Sequence, residues 1–154
     1  MSSITHHIAQ INIGRMRAPL ESPIMADFAA QLDAINALAE GSPGFVWRLT
    51  GAGNDATSLR PFEDNFIIVN MSVWESLDGL RAYVYKSAHT AAMRRRREWF
   101  EQFDGAYVAL WWVEAGHIPT VGEAKERLMH LGVHGPTAEV FTFKQPFAPP
   151  ITVQ

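Results

Sequence analysis

Residues 65–74 read Asn65-Phe66-Ile67-Ile68-Val69-Asn70-Met71-Ser72-Val73-Trp74, and this run decides the fold. Isoleucine, valine and aromatic rings crowd it, and such residues suit a pleated, half-buried surface, so it reads as a strand. It is the strongest strand signal in the chain. Side chains alternate across a strand, so Asn70 and Ser72 interrupt one and the same face. Downstream, residues 75–103 carry a helical pattern in two pieces that meet near Ser87–His89. Upstream, residues 51–64 are polar and glycine-containing, a long loop of the kind that borders binding sites. Before that loop, residues 45–50 form another strand, with Phe45, Trp47 and Leu49 on one face and Val46 and Arg48 on the other.

Further out, residues 6–13 alternate as a first strand. His7, Ala9, Ile11 and Ile13 make its cleaner apolar face; Ile8, Gln10 and Asn12 make the other. Residues 14–23 connect it to a helix over 23–40. Ser22 and Pro23 offer a cap and a first-turn proline, and Ile24, Phe28, Leu32, Ile35, Leu38 and Ala39 lie on one stripe. Gly41-Ser42-Pro43-Gly44 ends that helix. Residues 107–113 (YVALWWV) are a fourth strand. A tail from Gly116 holds a short helix over about 120–131, a short strand near 140–143, and the closing prolines Pro146, Pro149 and Pro150.

The order is β-α-β-β-α-β, an α+β ferredoxin-like arrangement with an antiparallel sheet. The right-handed crossover rule sets the strands in the spatial order fourth, first, third, second, with two helices on one face. A length of 154 residues suits one domain over 1–154, with a core of about 5–114 and a C-terminal extension, helix and arm, of about 115–154. The second sheet face needs cover, since open aromatic surface invites association. Face-to-face packing in a homodimer, a dimeric α/β barrel, meets that need, with Trp111 or Trp112 and the C-terminal arm at the contact.

Composition excludes several function classes. The net charge of −3 argues against a nucleic-acid partner, which needs a basic surface to displace phosphate counterions. There is no cysteine, so disulfides, thiolate catalysis and thiolate metal sites are excluded. No apolar run approaches the ~20 residues of a membrane span. The first residues lack the basic start and apolar core of a secretory leader, so a cytoplasmic protein is expected.

The stretch Ser72-Val73-Trp74-Glu75-Ser76, followed by Leu80, Tyr83, Lys86-Ser87-Ala88-His89 and a basic amphipathic helix, resembles the antibiotic-biosynthesis-monooxygenase group of dimeric α/β-barrel proteins. Over nearly its full length the chain looks still more like an uncharacterised bacterial family, a domain of unknown function in the same superfamily. Residues 7–15, 42–49, 94–100 and 116–120 carry that likeness. The resemblance implies the fold and a homodimer. Its members include haem-degrading, cofactor-free oxygenating, isomerising and non-enzymatic proteins. Haem-degrading relatives pair a first-strand Asn with a helix Trp and a helix His. Asn12 matches the first, but Tyr83 stands nearest the Trp, and Met93 or Arg94 stands where the iron ligand would be, one turn beyond His89. No cofactor is expected, with haem as a third option.

The polar residues that interrupt strands are the candidate site. Gln10 and Asn12 share a face of the first strand, Asn70 and Ser72 a face of the third, and Arg48 lies on the second. In the inferred sheet order these strands are neighbours. Two outcomes are open: the side chains satisfy one another, or they line a pocket that takes a carboxylate or enolate with Arg48 as a bidentate anchor. His89 is the candidate proton shuttle, because an imidazole titrates near neutrality. Asn12 and Asn70 would hold a developing oxyanion. Gln10, Trp74, Tyr83 and His7 complete the set as binding residues. His130 and His134 are four apart, yet Gly132 lies between them, and no metal site is expected. The run Arg94–Arg97 points around most of a helix, so a solvated face is expected there, with Arg96 or Arg97 toward the buried side and an anion anchor at the pocket rim as the alternative.

The expected function is therefore small-molecule binding, as a cofactor-free monooxygenase- or isomerase-like enzyme acting on a planar or enolisable compound. The alternative is a non-catalytic ligand-binding or stress-associated dimer.

Overall fold

The computed structural model describes residues 5–50, 66–86, 95–101 and 106–150. His89, Met93 and Arg94 lie outside the described residues, as does the loop over 51–64. The elements are β1 (His6–Arg15), a 3-10 turn (Pro23–Met25), α1 (Ala26–Glu40), β2 (Phe45–Arg48), β3 (Ile67–Trp74), α2 (Leu77–Lys86), α3 (Arg96–Trp99), β4 (Val108–Glu114) and α4 (Val121–His134). The four strands form one antiparallel sheet in the order β2-β3-β1-β4. This is the ferredoxin-like arrangement that the element order dictates.

Strand alternation divides the sheet into two faces. Ala9, Ile11 and Ile13 of β1 join Val69, Met71 and Val73 of β3 and Ala109, Trp111 and Val113 of β4 in one cluster. Ala124, Leu128 and Leu131 of α4 close over it. Thr120 caps α4 by accepting from the Glu123 amide at 3.0 Å, which fixes where the helix begins on the sheet. The other face carries α1 and α2 and is apolar only at its ends. Ile8, Trp74, Leu110, Leu80, Ala39 and Phe141 pack at one end; Met16, Met25, Ile68, Trp99 and Phe100 pack at the other.

Three expectations need correction. The first concerns the tryptophans proposed for a subunit contact. Trp111 is fully buried within the single chain, and its Nε1 donates to Glu123 Oε2 at 2.9 Å. Trp112 points to the opposite face and donates to the Phe147 carbonyl at 2.9 Å. Helix α4 covers the first indole, and the arm, bridged to β4 through Leu110 and Phe141, packs against the second, which stays partly buried.

The second concerns β2. Its register shifts between Phe45 and Trp47 against β3. A bulge adds a residue to one strand and resets alternation beyond it. Phe45 therefore joins the helix-side cluster, edge-on to Trp74 at 5.5 Å, while Trp47 packs on the other face and Arg48 returns to the helix side. The third concerns the start of the first helix. Residues 23–25 wind as a 3-10 turn, with fewer residues per turn, so Met25 is buried and Ile24 is 51% exposed.

Candidate active site

Between the two apolar ends of the helix-side face lies a polar patch made by strand pairing. Gln10 pairs with Ser72 and Asn12 with Asn70 across β1 and β3, and Arg48 of β2 pairs with Ser72. Paired residues share a face, so the register alone brings these side chains together. The same register sends His7 to the opposite face with Ala9 and Ile11. His7 does not line the cavity, and its Nδ1 is buried without a hydrogen-bond partner among the described residues.

Gln10 is the hub of the patch and is 6% exposed. Its Nε2 donates to Asn70 Oδ1 at 2.7 Å and to Ser72 Oγ at 2.8 Å. Asn12 Nδ2 donates to Gln10 Oε1 at 3.2 Å and to Asn70 Oδ1 at 3.3 Å. Trp74 donates from Nε1 to Ser72 Oγ at 2.9 Å. An indole N–H has no other role than donor, so it anchors one end of the chain of bonds. Trp74 is fully buried, stacked on Tyr83 at 5.1 Å. Tyr83 donates to the Ile35 carbonyl at 3.3 Å, and burial pushes its phenol up to about 12 against the opposing field of Arg48. These two rings stand behind the patch and orient it; they do not line the cavity.

Counting donors and acceptors shows what is left over. Asn12 has given its amide hydrogens to Gln10 and Asn70, and its Oδ1 accepts nothing from the described residues. Asn70 accepts twice through Oδ1, and its Nδ2 donates to none of the described residues. Ser72 accepts twice and keeps its own hydrogen. The patch thus holds itself in place and still presents an acceptor on Asn12 and a donor on Asn70, side by side.

These groups face a cavity of about 620 Å³ lined by Gln10, Asn12, Asn70 and Arg48 from the sheet. That volume lies within the usual range for small-molecule pockets, about 300–1,000 Å³. Helix α1 supplies Phe28, Leu32, Ile35 and the amides Gln31 and Asn36. Trp99, Phe100 and Tyr107 close one end. Phe100 lies flat on β1 because position 14 is glycine: a Cβ there would meet Phe100 Cδ1 at 2.8 Å.

Arg48 is 9% exposed, and its Nε lies 3.4 Å from Glu40 Oε2 at the end of α1. Arg96, which the sequence reading left between a buried-side position and a rim anchor, lines the cavity. Asn36, on the polar side of the periodicity, was not singled out from sequence. It is 8% exposed and also lines the cavity, because α1 lies across the patch rather than over hydrocarbon.

Among the described residues no group of three or more His, Asp or Glu side chains is placed to hold a metal. His130 and His134 do come together, with ring centroids 4.5 Å apart, because α4 runs on through Gly132. Neither lines the cavity, although their neighbours Leu131 and Gly135 do. Asn12 reaches the cavity, but Tyr83, where haem-degrading relatives carry Trp, is turned into the Trp74 stack, and no imidazole or thiolate occurs in the described lining.

Among solved structures, the chain is similar to SnoaB, a cofactor-independent oxygenase from Streptomyces nogalater, with 16% identity, 73% of this chain and 95% of that one covered, and a TM-score of 0.48. It is similar to NE2512, a protein of unknown function from Nitrosomonas europaea, with 14% identity, coverage of 75% and 97%, and a TM-score of 0.48. It is also similar to a proposed antibiotic biosynthesis monooxygenase from Chloroflexus aurantiacus J-10-fl, with 18% identity, coverage of 75% and 99%, and a TM-score of 0.41. No curated protein matches it. From residue 7 to residue 154 the sequence fits the profile of a family described as a domain of unknown function, DUF3291, and the chain belongs to that family.

Proposed function

We propose that the cavity binds a planar, enolisable small molecule and grips its hydroxyl–carbonyl edge between Asn12 and Asn70. The unspent acceptor of Asn12 beside the unspent donor of Asn70 carries this reading. An enol presents a hydroxyl hydrogen to the first and an oxygen lone pair to the second. When the enol loses its proton, the charge that develops on oxygen is met by the Asn70 amide, already fixed by Gln10. The two asparagines thus have different roles, where the sequence alone assigned both to the oxyanion. The leading reading is a cofactor-free oxygenase- or isomerase-like enzyme in which His89 takes and returns the proton. Arg48 and Glu40 form the β2 side of the site, and Trp74 with Tyr83 backs it.

A second reading is a non-catalytic, ligand-binding or stress-associated protein. It is favoured by the described lining, which consists of amides, alcohol and phenol hydroxyls, guanidinium and ammonium groups and hydrocarbon, with no imidazole or carboxylate among them. A panel of naphthols, hydroxyquinols and cyclic β-diketones separates the two. Oxygen uptake and deuterium exchange at the enolisable carbon are followed for the wild type, His89→Ala and Asn70→Leu. The enzyme reading expects wild-type turnover, with losses of about 100-fold or more in kcat for Asn70→Leu. Turnover unchanged in both variants sinks it; binding without turnover by the wild type establishes the second reading.

A further inference from the structure

The charges around the cavity are unevenly matched. Arg95 is held by Asp27 and Glu98, at 2.8 and 2.9 Å. Arg15 pairs with Glu101, and Arg48 with Glu40. Arg96 lines the cavity with no carboxylate partner among the described residues; Glu98 and Glu101, its neighbours in sequence, are engaged by other arginines. Its guanidinium carbon sits 5.3 Å from the Phe100 ring centroid and 5.1 Å from that of Tyr107, and one amine donates to the Ile13 carbonyl at 3.2 Å. Two ring faces and one carbonyl hold the group in a fixed plane while most of its five N–H donors stay unspent. The described lining contains no aspartate or glutamate.

We infer that Arg96 is the anion-binding end of this cavity, and that the ligand is an organic acid with a planar apolar body and a carboxylate that docks on the Arg96 guanidinium. The inference rests on the cavity reading above and adds the ligand's charge class. A planar carboxylate matches the arginine fork, and the Phe100 and Tyr107 rings continue the apolar walls on which the body of the ligand would lie. Burial holds the Arg96 guanidinium below its ordinary value, the direction expected of a cation shut away from water without a counter-ion. The Gly14 and Ile13 end of β1 is thereby separated in role from the Asn12–Asn70 pair: one end fixes the acid, the middle of the sheet receives the enol.

The test uses the full chain and the neutral fluorophore N-phenyl-1-naphthylamine as a cavity reporter, displaced by 2-naphthoate or by its uncharged analogue 2-naphthamide. Wild type is expected to prefer the naphthoate by about 10- to 100-fold, the range of a charge-assisted hydrogen bond. Arg96→Gln should abolish the preference, and Arg96→Lys should restore part of it. Equal displacement by the two naphthyl compounds in the wild type overturns the inference and leaves the cavity reading standing. So does a preference that vanishes in Arg48→Gln and survives in Arg96→Gln. Failure of the reporter to bind the folded wild type removes the cavity reading and, with it, the inference. Should Arg96→Gln not fold, the wild-type pair and Arg96→Lys decide.

Discussion

Replacing Gln10 by leucine is the most direct way to weigh the polar patch. The side chains are close in volume, so the substitution removes hydrogen bonds without opening a large void. Gln10 makes three: two donated, to Asn70 and Ser72, and one accepted from Asn12. Each is worth about 1 kcal/mol net, giving a loss of about 3 kcal/mol. No partner is orphaned outright, because Ser72 keeps Trp74 and Asn70 keeps Asn12. The full desolvation penalty of an unpaired group therefore does not apply. Leucine in a buried position returns about 1 kcal/mol through apolar burial. The net cost is about 2 kcal/mol, a fall of about 4–8 °C in melting temperature for a domain of this size. Thermal unfolding followed by circular dichroism reads it directly. A double-mutant cycle with Ser72→Ala isolates the Gln10–Ser72 bond, with a coupling of about 1 kcal/mol expected. A melting temperature within about 1 °C of wild type would refute the claim that the Gln10 hydrogen bonds hold the patch together, and zero coupling in the cycle would remove the Gln10–Ser72 bond from it.

Two further outcomes are expected. Gly14→Ala drives a methyl into the Phe100 ring at 2.8 Å and should cost about 1–3 kcal/mol, with Phe100→Leu in the same chain recovering part of it; stability unchanged in the single variant would contradict the close approach of β1 and that ring. For Glu123, burial alone would raise the carboxyl, but hydrogen bonds from His117 and Trp111 outweigh it and hold the group below its ordinary value of 4.5. A carboxyl depressed in the folded state contributes stability that is complete above its unfolded pKa and is lost as pH falls through the folded one. Acid should therefore loosen α4 below about pH 4.5, seen as hydrogen exchange in 121–134, and Glu123→Gln should flatten that dependence. A profile identical in the variant would assign the acid sensitivity elsewhere.

Much of the fold was legible because it rests on short-range periodicity. The run of β-branched and aromatic residues at 65–74, the alternation at 6–13 and the amphipathic stripe after Pro23 each mark an element by its own spacing. Their order, with the handedness of crossovers, then leaves one sheet arrangement, and β2-β3-β1-β4 is the one observed. The grouping of Gln10, Asn12, Asn70, Ser72 and Arg48 on one face was legible for the same reason, since it needs only alternation and strand adjacency.

What alternation cannot carry is anything that breaks it or reaches across the chain. The bulge after Phe45 is a single unpaired residue with no signature in FVWR, so the face of Phe45 emerges only when β2 meets β3. Alternation puts His7 and Gln10 on opposite faces of one strand, but only the packing of helices on the sheet decides that the cavity opens on the Gln10 side. Trp111 and Trp112 are adjacent in sequence and point to opposite faces; the C-terminal extension, folding back on both sides of the sheet, buries the first fully and the second in part. Arg96 is the clearest case. In sequence it is one of four consecutive arginines, and only the tertiary arrangement engages Glu98 and Glu101 with Arg95 and Arg15 and sets Arg96 between two rings at the cavity wall. Local spacing determined which residues could share a face; long-range packing decided which charges pair among the described residues and which one stands at the cavity wall, because ion pairing depends on distances that the linear order does not encode.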